Sequence, residues 1–209
     1  MKYYKFLTKE NTGKYSKFDF TKWLPDEGKP GDWIPEVEKL ELCVSGYHAC
    51  SANDLLEWLG WLEFDLYEVE LGDGIRKDTN KIVSNKIRFI RKIETWNDKT
   101  ARLFACWCVK QIWHLLSDER SKHAVTIAEQ YANGEASKKD MDAAWAAALA
   151  GFSTAAGFSA WAAASTGYSA WAAASARAAA ADAAGDAAMA AAWDAQGEKL
   201  IEMLGLGNE

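Results

Sequence analysis

The chain changes its hydrophobic rhythm near residue 95. Before that point apolar residues largely alternate with polar ones, the period of half-buried strands; after it they recur three and four apart, the period of amphipathic helices. "YYKFLT" (Tyr3–Thr8) predicts a strand, and "ELCVSGYHAC" (41–50) predicts a second with a turn at Ser45-Gly46. "SANDLLEWLG" (51–60) predicts a short helix, capped by Ser51 with Asp54 at the reciprocal position and ended by Gly60. "LEFDLYEVELG" (62–72) predicts a strand whose alternation changes phase between Leu66 and Tyr67, through a bulge or through cover on both faces. "LGDGI" (71–75) reads as a hairpin-like turn, and "KIVSNKIRFIRKI" (81–93) as one or two further strands. All three prolines lie in or beside the loop "DEGKPGDWIPE" (26–36).

Beyond residue 95 proline is absent and helix formers dominate. Thr95 or Asn97 caps a first helix. Two more follow, separated at Asn133-Gly134, and Ser137 with Asp140 forms a capping box for the later one. There Trp145, Leu149 and Phe152 fall on one helical face. From Ala143 to Ala176 no residue is charged, and "GFSAWAAASTGYSAWAAASA" (157–176) is two near-copies of one unit. Alanine makes helix the default, but the unit does not fit a straight helix: each copy is turned by roughly 80° from the last. The aromatic rings must wind round the axis, or the helix must reset at Gly167. Gly151, Gly157, Gly167 and Gly185 either break the tract or admit close helix contacts. "EKLIEML" (198–204) closes the chain as an amphipathic helix. The fold class is α+β: a small β-rich domain over 1–95, then an Ala/Trp-rich α-helical bundle over 96–209.

At 209 residues the chain is long enough for a substantial core, and eleven tryptophans give it the apolar area that alanine lacks. The net charge of -6 opposes a nucleic-acid surface. The neutral tract lacks the Leu, Ile and Val of a membrane span and has no basic cluster flanking it, so no membrane is expected. "MKYYKFLTKEN" has no secretory h-region, which predicts cytoplasmic location and reduced thiols. Cys106 and Cys108, two apart on a helix, point to different faces, and neither a metal site nor a cofactor motif emerges. A tract with so few charged faces is expected to pack within the chain and also in a homo-oligomer.

Trp161, Tyr168 and Trp171 are candidates for stacking on a flat ligand, with core packing as the alternative. Arg177 follows at the edge of the neutral tract, placed to grip a phosphate or else to pair with Asp182 or Asp186. Tyr47 and His48, at a turn, are the other ligand-binding candidates; no nucleophile elbow accompanies them. "KIRFIRKI" (86–93) places Lys86, Arg88, Arg91 and Lys92 where they could hold an anion. Glu68 and Glu70 share a strand face. Their Glu-x-Glu resembles arginine-specific ADP-ribosyltransferases, but that family's Ser-Thr-Ser element is missing, so no catalytic residue is assigned.

"RLFACWCVKQIWHLLSDERSKHAVTIAEQYANGEAS" (102–137) resembles a helical segment of bacterial proteins, some labelled immunity proteins. "SGYHAC", "LLEWL", "LYEVE", "NKIV" and "ETWNDKTARLFA" resemble a domain of phage and prophage proteins. The resemblance implies a phage-type accessory protein acting in a bacterial cytoplasm. The expected function is non-enzymatic binding: a counter-defence sponge for a nucleotide-like immune signal. The alternatives are a module that blocks a host protein, and an enzyme of ADP-ribosyltransferase type.

Overall fold

The computed structural model describes residues 2–59, 64–149, 154–165 and 169–207, except the side chain of Ala170. The predicted stop at Gly60, together with Gly151, Phe152, Gly167 and Tyr168, lies outside the described residues. The architecture is α+β. The chain divides into two compact units, residues 1–96 with 204–209, and residues 97–203.

The N-terminal unit contains β1 (Tyr3–Thr8), β2 (Tyr47–Ala49), α1 (Leu55–Trp58), β3 (Phe64–Leu71), β4 (Ile75–Lys77), β5 (Ile82–Ser84) and β6 (Ile87–Lys92). They form two antiparallel sheets, ordered β1-β3-β6 and β2-β5-β4. Tyr4 and Cys50 exchange both backbone hydrogen bonds and so join the sheets. The proline-bearing loop runs along the free edge of β6, where the amides of Gly31, Ile34 and Val37 donate to the carbonyls of Phe89, Ile87 and Asn85. That path needs glycine at 31, because a Cβ there would stand 2.0 Å from the Trp23 carbonyl oxygen. Leu7, Phe20, Ile34, Val69, Ile87 and Phe89 make the core on one face of the larger sheet.

β3 is buried at Phe64, Asp65, Leu66 and Tyr67, so its phase change reflects cover on both faces; the register shift against β6 falls later, between Glu68 and Val69. The Leu71–Ile75 turn does not fold β3 back on β4, since these strands lie in different sheets. Ser51 and Asp54 form the expected capping pair, with the Ser51 amide and hydroxyl both donating to Asp54 Oδ2.

The helical unit holds α2 (Asp98–Gln111), α3 (Glu119–Asn133), α4 (Lys138–Leu149), α5 (Ala155–Ala163), α6 (Ser169–Ala184) and α7 (Asp186–Leu204), the last ending at the first residue that rejoins the N-terminal unit. Asn97 accepts from the Thr100 amide and caps α2. Gly134, at φ 80°, ends α3 in the left-handed cap that glycine adopts freely. Ser137 and Asp140 cap α4. The buried side of α4 is Met141, Ala144 and Ala148, which leaves Leu149 exposed.

The alanine tract is broken into separate helices: α5 ends at Ala163, α6 begins at Ser169, and Gly185 at φ 84° divides α6 from α7. Gly157 stays buried inside α5. Small side chains bring α5 and α6 together: Ala160, Ala163, Ala172 and Ala176 are buried, and the Ser159 hydroxyl donates to the Ala172 carbonyl at 2.7 Å.

Candidate functional site

Four rings form a ladder across three helices. Phe158 and Trp161, one turn apart on α5, have centroids 5.2 Å apart. Trp161 reaches Trp145 of α4 at 5.9 Å, and Phe158 reaches Trp171 of α6 at 5.2 Å. These tilted contacts fall in the range where aromatic pairs attract. The rings therefore occupy the space that alanine leaves between helices, and Trp161 and Trp171 meet through Phe158. Among the described residues, the buried indole N–H of Trp145 meets no hydrogen-bond acceptor.

Arg177 lies on the same helix as Trp171 but is turned about 120° from it, by helical geometry. Its guanidinium carbon stands 4.2 Å from the centroid of the Trp193 ring. One guanidinium N–H donates to Gln196 Oε1. Gln196 is 2% exposed, and its own amide N–H donates to the Ala173 carbonyl at 3.1 Å, which fixes the amide orientation. Among the described residues no carboxylate forms an ion pair with Arg177; Asp182 and Asp186 are both exposed. Burial disfavours its charged form, while the nearby Cys108 sulfur acts in the other direction. A guanidinium carries five N–H donors, and Gln196 takes one of those on Arg177.

Tyr47 and His48 belong to the N-terminal unit, while Trp161, Trp171 and Arg177 belong to the helical one. Tyr47 donates its hydroxyl to the Pro35 carbonyl at 2.8 Å. His48 Nε2 accepts the Cys43 amide at 3.0 Å and so fastens the turn, where Cys43 sits at φ 64°. Burial, then the Lys5 and Lys81 charges, lower the His48 pKa, against a backbone hydrogen bond at Gly46. A neutral imidazole accepting a backbone amide is holding the loop together.

The paired carboxylates are taken up by arginines: Arg88 Nε donates to Glu70 at 2.7 Å and Arg91 Nε to Glu68 at 2.8 Å. Lys92 donates to Asp65. The basic strand is thus largely neutralised, and Lys86 lies over the Trp33 ring. All four cysteines are free thiols. Cys50, Cys106 and Cys108 are buried, and burial pushes the first two up to about 12 and the third higher still. Cys106 faces the Val125 carbonyl of α3 while Cys108 lies near Arg177 of α6, two directions from one helix. Among the described residues no cluster of His, Cys, Asp and Glu could hold a metal ion.

Three residues of interest escape the motif-based reading: Trp193, Gln196 and Lys5. Each carries only a positional signal in the sequence. Trp193 and Gln196 show a weak one, being three apart and so on one side of α7. Lys5 shows a clear one, because it alternates with Tyr3 and Leu7 on the strand and so shares their face.

No protein-family model, curated protein or solved structure matches the chain. Among the described residues no helix is long and apolar enough to cross a membrane.

Proposed function

We propose that the protein is a non-enzymatic, phage-type accessory binding protein whose helical unit sequesters a phosphate-bearing, nucleotide-like small molecule at Arg177. One observation carries this reading: a half-buried guanidinium, oriented by Trp193 and Gln196, has no carboxylate answering its charge among the described residues. Burying a charge without a countercharge is costly, and a bound anion repays that cost. The in-plane N–H edges of arginine match two phosphate oxygens at once. The Trp193 face lies under the guanidinium and holds its plane, so that its N–H edge rather than its face is left to meet an anion. The Glu68 and Glu70 carboxylates, both paired with arginine, give no support to the transferase alternative.

The test is calorimetric titration of the whole protein with cyclic dinucleotides and ADP-ribose derivatives. Binding is expected for the wild type and lost in Arg177→Gln. After heat denaturation the ligand should be recovered chemically unchanged. Binding that survives Arg177→Gln, or recovery of an altered ligand, overturns the reading.

A further inference from the structure

Lys5 is an ammonium placed where an aliphatic side chain would be expected. On β1 it alternates with Tyr3 and Leu7, and Leu7 belongs to the core of the larger sheet. Its register partner on β3 is Tyr67, also a core residue. Its Nζ donates to the His48 carbonyl at 2.7 Å and lies 5.2 Å from the centroid of Phe20. Among the described residues no carboxylate pairs with it. The other titratable groups around it are the Cys50 thiol, the His48 imidazole and the Tyr67 phenol. Burial pulls the amine down to about 8.

The surroundings are aromatic. Phe20 contacts Phe18 at 4.8 Å, and Phe18 contacts Tyr47 at 6.4 Å. Phe18 is 42% exposed, so this wall of rings opens to solvent at one end. An amine held by one carbonyl, beside apolar rings, is the environment that makes lysine nucleophilic in proteins.

We propose that Lys5 is a site of covalent capture for a small, uncharged carbonyl compound with an apolar or aromatic body, through imine formation. The ammonium first gives one proton to solvent. The neutral amine still donates one N–H to the His48 carbonyl, which leaves its lone pair pointing away from that oxygen. The lone pair forms the C–N bond as the carbonyl π pair moves to oxygen, giving a carbinolamine. The carbonyl oxygen then leaves as water with the two hydrogens of the amine, and a C=N bond remains. No oxidant or reductant takes part.

The experiment treats the full-length protein with benzaldehyde and cyanoborohydride, which reduces the adduct to a stable amine for peptide mass spectrometry. Lys17, Lys39 and Lys139, all exposed, serve as internal references in the same molecule. Lys5 is expected to be modified about tenfold faster than they are at pH 7, since its neutral fraction there is far larger. Its rate should level off above pH 8 while theirs still climb. Modification no faster than the references, or only after urea unfolds the chain, overturns the proposal. The Lys5→Met variant should lose the fast adduct and keep ligand binding at Arg177, and the within-protein comparison stands even if that variant fails to fold.

Discussion

Arg177 lies against Trp193, and Gln196, three residues further along the same helix, holds its edge. Gln196 is in turn anchored on the Ala173 carbonyl, so the cation is positioned by a chain of contacts that contains no negative charge. This arrangement separates the requirements of binding from those of stability. Arg177→Met removes a half-buried charge and keeps an unbranched side chain against Trp193. It also leaves the buried Gln196 Oε1 without its donor, so the two effects offset: stability should change by no more than about 1 kcal/mol in either direction, while anion binding is abolished. Gln196→Ala strands both the guanidinium and the Ala173 carbonyl, and should cost about 2–4 kcal/mol. Urea midpoints of the two variants beside wild type decide the matter. A large loss for Arg177→Met would make the arginine a structural residue.

Lys5 gives the N-terminal unit a pH dependence of unusual sign. Its amine releases its proton near pH 8 when folded and near 10.5 when unfolded. Between those values the unfolded chain holds the extra proton, so raising the pH favours the folded state; below pH 8 the cost stands in full, at most about 3 kcal/mol and less because the side chain is only partly buried. Cys50 opposes this above pH 9, because its thiol ionises near 9 when unfolded and near 12 when buried. The rise in stability is therefore confined to roughly pH 8–9. Lys5→Met should be more stable than wild type at pH 7 and show no such rise. Hydrogen exchange of the β1 and β3 amides, corrected for intrinsic rates, reports it.

In the helical unit the buried thiols act in one direction. Cys106 is pushed up to about 12 and Cys108 further, both mainly by burial. Above pH 9 the unfolded chain ionises these thiols and the folded chain does not, so each costs about 1.4 kcal/mol by pH 10. The unit should lose helical circular dichroism on alkaline titration, and Cys108→Ala should move that loss to higher pH. At pH 8 a thiol reagent should find one fast site, Cys43, with Cys50, Cys106 and Cys108 reacting only through opening.

Much of the frame was legible because local chemistry set it. The first strand, Tyr3–Thr8, is where alternation places it. The caps at Ser51, Asn97 and Ser137 and the stop at Gly134 follow from side chains that satisfy nearby backbone groups. β4 gives no such signal, since Ile75, Arg76 and Lys77 are all exposed and nothing buried marks its period. On α4 Met141 and alanines take the buried side, while Trp145 joins the ladder and Leu149 is exposed, a division that spacing along one helix does not reveal. Among the site candidates, the apposition of Trp161 and Trp171 through Phe158 depends on how two broken helices pack, which no repeat within one helix encodes. Arg177 stood out as the isolated cation; its partner did not, because Asp182 and Asp186 looked more suitable than an amide nineteen residues away.

The contact between α5 and α6 rests on side chains with no room to grow. Ser159 is fully buried and its hydroxyl donates to the Ala172 carbonyl, and Ala160, Ala163, Ala173 and Ala176 on the same two helices are buried as well. Ala172→Leu adds three carbons where the opposing helix already touches, so either the helices separate or the rotamer is strained, at about 1–3 kcal/mol or more. Separation would also part Phe158 from Trp171, whose centroids are 5.2 Å apart. The substitution should therefore lower the urea midpoint and shift tryptophan emission to longer wavelength in the native state. Ser159→Ala, which removes one hydrogen bond but keeps the close approach, should cost about 1 kcal/mol and leave the emission where it was. If both variants behave alike, the helices are held by the hydrogen bond and the small side chains are incidental.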